Sequence, residues 1–154
     1  MKNIMLLLVL ALCLTTQTTS AQMLSKGVSK ELADHRKANI SKIVYDLSFD
    51  IPANPREPVT GKAIISFNLK APQDVVLDFQ GELDGTCYVY VEKKKGKMKR
   101  MPMEVTYHDE HIILPMLSMQ EGPNKVELEF IANDKALNRN DDYMYTLFVP
   151  DMAR

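Results

Sequence analysis

Ile43-Val44-Tyr45-Asp46-Leu47-Ser48-Phe49-Asp50-Ile51 is followed, beyond a proline-rich turn, by Val59-Thr60-Gly61-Lys62-Ala63-Ile64-Ile65-Ser66-Phe67-Asn68-Leu69. Both stretches repeat with a period of two, the period of a strand, whose successive side chains point to opposite faces. In the first, Ile43, Tyr45, Leu47, Phe49 and Ile51 form one expected buried face against Val44, Asp46, Ser48 and Asp50. In the second, Val59, Gly61, Ala63, Ile65, Phe67 and Leu69 are expected inward, with Thr60, Lys62, Ile64, Ser66, Asn68 and Lys70 outside. Pro52, Pro55 and Pro58 separate the two, because proline offers no N–H to a strand ladder.

The same period continues toward the C-terminus. Val75, Leu77 and Phe79 read as a third strand after Pro72-Gln73, and Thr86 to Val91 as a fourth, with Cys87, Val89 and Val91 on one face. Glu92 to Lys97 reads as a hairpin tip in which Gly96 supplies a positive φ. The return strand runs to about Tyr107, and Pro102 marks it as an edge or bulged piece. His108-Asp109-Glu110 turns into His111 to Pro115. After Glu121-Gly122-Pro123-Asn124, Val126, Leu128 and Phe130 alternate with Glu127 and Glu129, and a last apolar run spans Tyr143 to Val149. Upstream, Ser29 is placed to cap one short helix with Glu31 in its first turn, lying over a sheet edge. Seven or eight short strands with frequent turns and one helix predict an all-β fold, an antiparallel sandwich or pair of saddle-shaped sheets.

The first residues read as an export signal. Lys2 precedes an apolar run from Ile4 to Leu14, and Thr19-Ser20-Ala21 fits a small-x-small cleavage site. The expected organisation is therefore a signal peptide at 1–21, a helical lead-in at 22–42 and a β domain at 43–154. The localisation expected is periplasmic, cell-envelope or extracellular. The apolar run is shorter than the roughly 20 residues of a transmembrane helix, so no spanning segment is expected. Lipid attachment at Cys13 stays open, although Leu12 before it is bulkier than lipoprotein processing prefers. With cleavage only Cys87 remains; it cannot form an internal disulfide, and its strand pattern makes it an inert core thiol. Asn39-Ile40-Ser41 matches a glycosylation acceptor, which matters only in a eukaryotic secretory pathway.

The 154 residues carry a formal net charge of −1, which gives no global reason to expect nucleic acid as a partner. The basic run Lys93 to Arg100 is confined to one hairpin tip bordered by Glu92 and Glu104, and reads as a solvated edge that discourages sheet association. His108 and His111 are three apart, across a turn, whereas a helical zinc site needs His-Glu-x-x-His; a solvated turn is the better reading. Asp141-Asp142 lacks the spacing of a calcium loop. The residues by themselves carry no catalytic constellation.

From about Ile43 onward the chain resembles the N-terminal domain of the zinc aminopeptidases typified by aminopeptidase N. Tyr45-Asp46-Leu47-x-Phe49 is similar to that family's opening Tyr-Asp-Leu-x-Leu strand, and Thr60-Gly61-x-Ala63-x-Ile65 to its second strand. Leu77-Asp78-Phe79 falls where the family has an apolar-His-apolar strand. Gly122-Pro123-Asn124-x-Val126-x-Leu128-x-Phe130 is similar to a later one. Asn138 to Asp151 looks like the segment leading into Ala-Arg-x-x-Phe-Pro-Cys-Phe-Asp-x-Pro, with Ala153-Arg154 as its first two residues.

In that family a following thermolysin-like domain does the chemistry: a Gly-x-Met-Glu-Asn loop binds the substrate amine, and His-Glu-x-x-His with a further Glu holds zinc. The resemblance therefore implies a non-catalytic scaffold that packs a catalytic domain, in cis or in trans, on its C-terminal strand and bounds the substrate entrance. Zinc is expected only in a full-length member, and no cofactor in this chain. The family's substrate-anchoring glutamines align with Leu147 and Val149, which lack the amide; Phe148 and Val149 are left as apolar substrate-binding candidates. Met144, Leu147, Phe148 and Val149 are expected to form an exposed apolar patch. The rival expectation is a free-standing secreted β-sandwich that binds a peptide, glycan or surface partner.

Overall fold

A computed structural model describes residues 27–93, 96–132, 137–140 and 142–146. The signal-peptide and lipidation readings, and Leu147, Phe148 and Val149, lie outside the described residues.

The helix α1 spans Lys30–Asn39. The Ser29 hydroxyl accepts from the Leu32 amide at 3.1 Å, Glu31 sits in the first turn, and Arg36 and Lys37 in the last. Ten residues are too few for a stable isolated helix in water, so α1 depends on tertiary anchors. Leu32 is its buried residue, and Arg36 reaches the carboxylate of Asp78 with both terminal nitrogens, at 2.7 and 2.6 Å. The helix thereby lies against a sheet edge, as its sequence predicts. The Asn39 side-chain nitrogen donates to the His35 carbonyl at 2.9 Å, so the acceptor atom of the glycosylation motif is engaged in the helix end.

Among the described residues eleven strands follow, all paired antiparallel. The main sheet comprises β1 (Ile40–Asp50), β2 (Thr60–Leu69), β9 (Gly122–Ala132), β5 (Cys87–Lys93) and β6 (Lys97–Met103) in that order. β4 (Gly81–Leu83) pairs with the end of β9, beside Phe130 to Ala132, while β5 pairs with its middle at Val126 and Glu127. A second sheet has the order β3 (Val75–Asp78), β8 (His111–Leu114), β7 (Thr106–His108). A separate hairpin joins β10 (Leu137–Arg139) to β11 (Met144–Thr146). The all-β expectation with one short helix holds. Pro102 lies in β6, an edge strand where its missing N–H costs nothing, and Gly96 has φ of 73° in the hairpin turn.

Three differences from the sequence reading have physical causes. The expected return strand to Tyr107 is two strands, β6 and β7. The chain leaves the main sheet after Met103 and enters the small one at Thr106, so a continuous polar-apolar run hides a change of sheet. β4 and β10 are three residues each, too short to show a period. The largest difference concerns β1. Ile43, Val44, Tyr45, Leu47 and Phe49 are each 52–62% exposed, and Ile51 is 40% exposed. The expected buried face is oriented correctly: Tyr45 pairs with Ile65, Leu47 with Ala63 and Phe49 with Gly61, and Ile65 and Ala63 are core residues. It is simply not covered.

The core shows why. It is built from Ala63, Ile65, Phe67 and Leu69 of β2, Val126 and Leu128 of β9, Cys87 and Val89 of β5, Met103, and Val75, Ile112 and Leu114 of the small sheet, with Met119 closing it. A three-stranded sheet is narrower than the five strands it faces, and among the described residues β1, at the rim, receives no lid. Burying an apolar side chain of this size stabilises by about 1.5–3 kcal/mol, and β1 forgoes most of that gain.

Candidate functional site

The uncovered face of β1 continues into a groove of about 220 Å³ between the two sheets. Ile43 and Tyr45 of β1 form one wall, Ile65 and Phe67 of β2 the floor, and Val76 and Leu77 of β3 the opposite wall. β3 is the edge strand of its own sheet, so the groove runs between two sheet edges. Arg36 and Asp78 also line it.

Asp78 joins three elements. It accepts the paired hydrogen bonds of Arg36 from α1, and its Oδ1 lies 3.0 Å from Nδ1 of His111 on β8. The Arg36 hydrogen bonds hold the Asp78 carboxyl below its ordinary value, outweighing the opposite effect of partial burial. His111 is 1% exposed, which corrects the expectation of a solvated turn for this residue. His108, across the same turn, is exposed beside Asp109. The turn is tight: Asp109 and Glu110 both have positive φ, 46° and 65°, the geometry that lets a two-residue loop match strand twist. Sequence reasoning missed the Arg36–Asp78–His111 cluster. Its members are far apart in the chain: β3–β8 pairing sets Asp78 opposite His111, and helix docking adds Arg36.

Aromatic rings continue from the Phe49 end of β1. Phe49 meets Phe130 edge-on at 6.0 Å, Phe130 meets Phe79 at 5.5 Å, and Phe79 meets Tyr107 at 6.5 Å. Gly61 makes room for this row, since a Cβ there would fall 2.5 Å from the Phe130 ring.

The opposite face of the main sheet is polar but not simply solvated. Glu127, in the middle of β9, is 4% exposed. It accepts a hydrogen bond from the Tyr90 hydroxyl and an ion pair from Arg100 at 2.8 Å. The Arg100 guanidinium also lies 3.5 Å from the centre of the Tyr88 ring, a stacked cation–aromatic arrangement. The Glu127 carboxylate, by accepting a hydrogen bond from the protonated phenol, raises the Tyr90 pKa. Part of the basic run at Lys93 to Arg100 is thus a lid over a buried acid. None of the buried polar side-chain atoms in this cluster lacks a hydrogen-bond partner, which suits a structural role. The Cys87 thiol is buried and its pKa is raised by that burial, the state of an unreactive core cysteine.

At the C-terminal end, Arg139 fixes the β10–β11 hairpin to the loop between β1 and β2. It donates to the Pro52 carbonyl at 3.1 Å and to that of Glu57. The Asn140 side-chain oxygen accepts from the amides of Asp142 and Tyr143, both at 2.9 Å, which shapes the turn. Tyr143, Met144 and Tyr145 are exposed beyond it. Of the expected apolar patch, Met144 is exposed. The substrate-binding candidates Phe148 and Val149 fall just past the described residues.

Among the described residues no group of three or more His, Cys, Asp or Glu side chains could hold a metal ion, and no helix is long and apolar enough to cross a membrane. No protein-family model matches the chain, and no curated protein matches it either.

Proposed function

We propose that this chain is the N-terminal β domain of an exported zinc aminopeptidase, a non-catalytic scaffold for a catalytic domain supplied in cis or in trans. The observation that carries the reading is the C-terminal hairpin. It is pinned to the body by Arg139 and its turn is shaped by Asn140, yet Tyr143, Met144 and Tyr145 remain exposed on it. A fixed, exposed apolar surface of this kind is what a packing partner covers. The resemblance of Asn138 to Asp151 to the segment that leads into the family's catalytic domain says which partner. In this reading zinc and the general base belong to that domain, and Phe148 and Val149 border its substrate entrance by apolar contact.

The test is the intact mass of the native product in the secreted or envelope fraction. A species several times heavier than this chain, with zinc-dependent aminopeptidase activity, is expected. A mass near that of Gln22 to Arg154 with no co-purifying peptidase would overturn it. The groove between β1 and β3 would then favour the alternative, a free-standing secreted module that takes an extended peptide or another surface partner there.

A further inference from the structure

We infer that the free edge of β1 is a self-pairing interface: two copies of this chain join by antiparallel pairing of β1 with β1 about a two-fold axis at Leu47. The inference does not rest on the aminopeptidase reading, because β11 pairs with β10 and not with β1.

Among the described residues β1 is the outermost strand of the main sheet and bonds to β2 on one side only. Proteins normally protect such an edge with bulges, prolines or inward charges. Here those devices stand only at the ends of the strand. The bulge between Ser41 and Val44, with Lys42 at φ 52°, lies before the regular segment, and Pro52 lies after it. Between them, Val44 to Asp50 pairs regularly with β2 and has both faces exposed.

That segment is nearly palindromic. A two-fold axis at Leu47 sets Leu47 against Leu47 of the second copy and Tyr45 against Phe49 on the uncovered apolar face, with Ile43 and Ile51 facing each other just beyond the ends of the regular segment. On the other face Asp46 meets Ser48 and Asp50 meets Val44, so no like charges oppose each other. Cross-strand aromatic and aliphatic pairs of this kind stabilise antiparallel sheets, and opposed like charges destabilise them. The charges also select the register. An axis at Asp46 opposes two Asp46 carboxylates, and an axis at Ser48 opposes Asp46 with Asp50. Only the Leu47 axis sets Tyr45, Leu47 and Phe49 all against large apolar partners and keeps the acids apart, which is how a closed isologous contact is specified. The pairing places beside the exposed Tyr45, Leu47 and Phe49 an apolar neighbour that the small sheet does not provide.

The experiment is sedimentation equilibrium of the purified protein over a concentration series, with three variants. The wild-type chain is expected to double its mass as concentration rises. Leu47→Lys, which sets two ammonium groups against each other at the axis, is expected to weaken association by about tenfold or more. Its thermal melt at low concentration should be unchanged, because residue 47 is half exposed. Leu47→Cys should form a disulfide-linked dimer under mild oxidation, since directly opposed strand residues lie within bridging distance. Ser48→Cys, opposite Asp46 on the other face, should not. A chain that stays monomeric into the hundreds of micromolar overturns the inference, as does a dimer that Leu47→Lys leaves intact. Equal cross-linking by the two cysteine variants also overturns it.

Discussion

At Gly61 the absence of a side chain shapes the aromatic row. A methyl group there would meet the Phe130 ring at 2.5 Å, and that ring is held on two sides by Phe49 and Phe79. Gly61→Ala is therefore expected to cost about 1–3 kcal/mol, the usual range for overpacking. Combining it with Phe130→Leu should recover part of that loss, a coupling that urea melts of the single and double variants measure. Asp78 carries the pH prediction. Its carboxyl titrates below its ordinary value of 3.8 because Arg36 donates to the ionised form. A lowered folded pKa means the clamp contributes fully above the unfolded value and is lost as pH falls through the folded one. Because the Asp78 side chain is 46% exposed, the contribution is about 1 kcal/mol or less. Asp78→Asn should lower stability at pH 7 and flatten its decline from roughly pH 5 to pH 2, read from urea midpoints across that window. Neither effect was legible in the sequence. Gly61 reads there as one small inward residue, and Asp78 as the exposed partner of an alternating strand.

For single elements, the contrast between β1 and β9 isolates what coverage is worth. Leu47 and Leu128 face the same side of one sheet and flank Ala63 of β2 on its two sides, but Leu128 is 5% exposed and Leu47 is 52% exposed. Leu128→Ala is expected to cost about 2–5 kcal/mol, as for other buried leucines. Leu47→Ala, measured at concentrations where the chain is monomeric, should cost under about 1 kcal/mol. Equal losses would mean that β1 is covered after all. The helix makes the complementary case: its local signals at Ser29 and Glu31 were readable, and they locate its start to the residue. Its anchors, Leu32 and Arg36, gain meaning only where they meet the body of the fold.

Across the whole molecule, one core serves both sheets. Ile112 and Leu114 of β8 are fully buried, as is Val126 of β9, so the small sheet cannot come away without exposing the large one. Ile112→Ala is expected to cost about 2–5 kcal/mol. Far-UV dichroism and tyrosine fluorescence should still report a single coincident transition. Two separate transitions would mean that the sheets fold as independent units. The β1 rim and the β11 hairpin are exposed apolar surfaces, one proposed to take a second copy and the other the catalytic domain.

The sequence by itself determined the class of the fold, most strand positions, the capped helix, and which face of each long strand points toward the core. Those are local properties, set by side-chain periodicity, proline and glycine within a few residues of chain. Only the tertiary structure decided which inward faces are covered, where the chain changes sheets, and which distant charges pair. It set Arg36 against Asp78, placed Arg100 over the buried Glu127, and left Tyr45, Leu47 and Phe49 open. The physical reason is that alternation specifies direction, while burial depends on how wide a second sheet is and where it ends. No stretch of β1 contains that width.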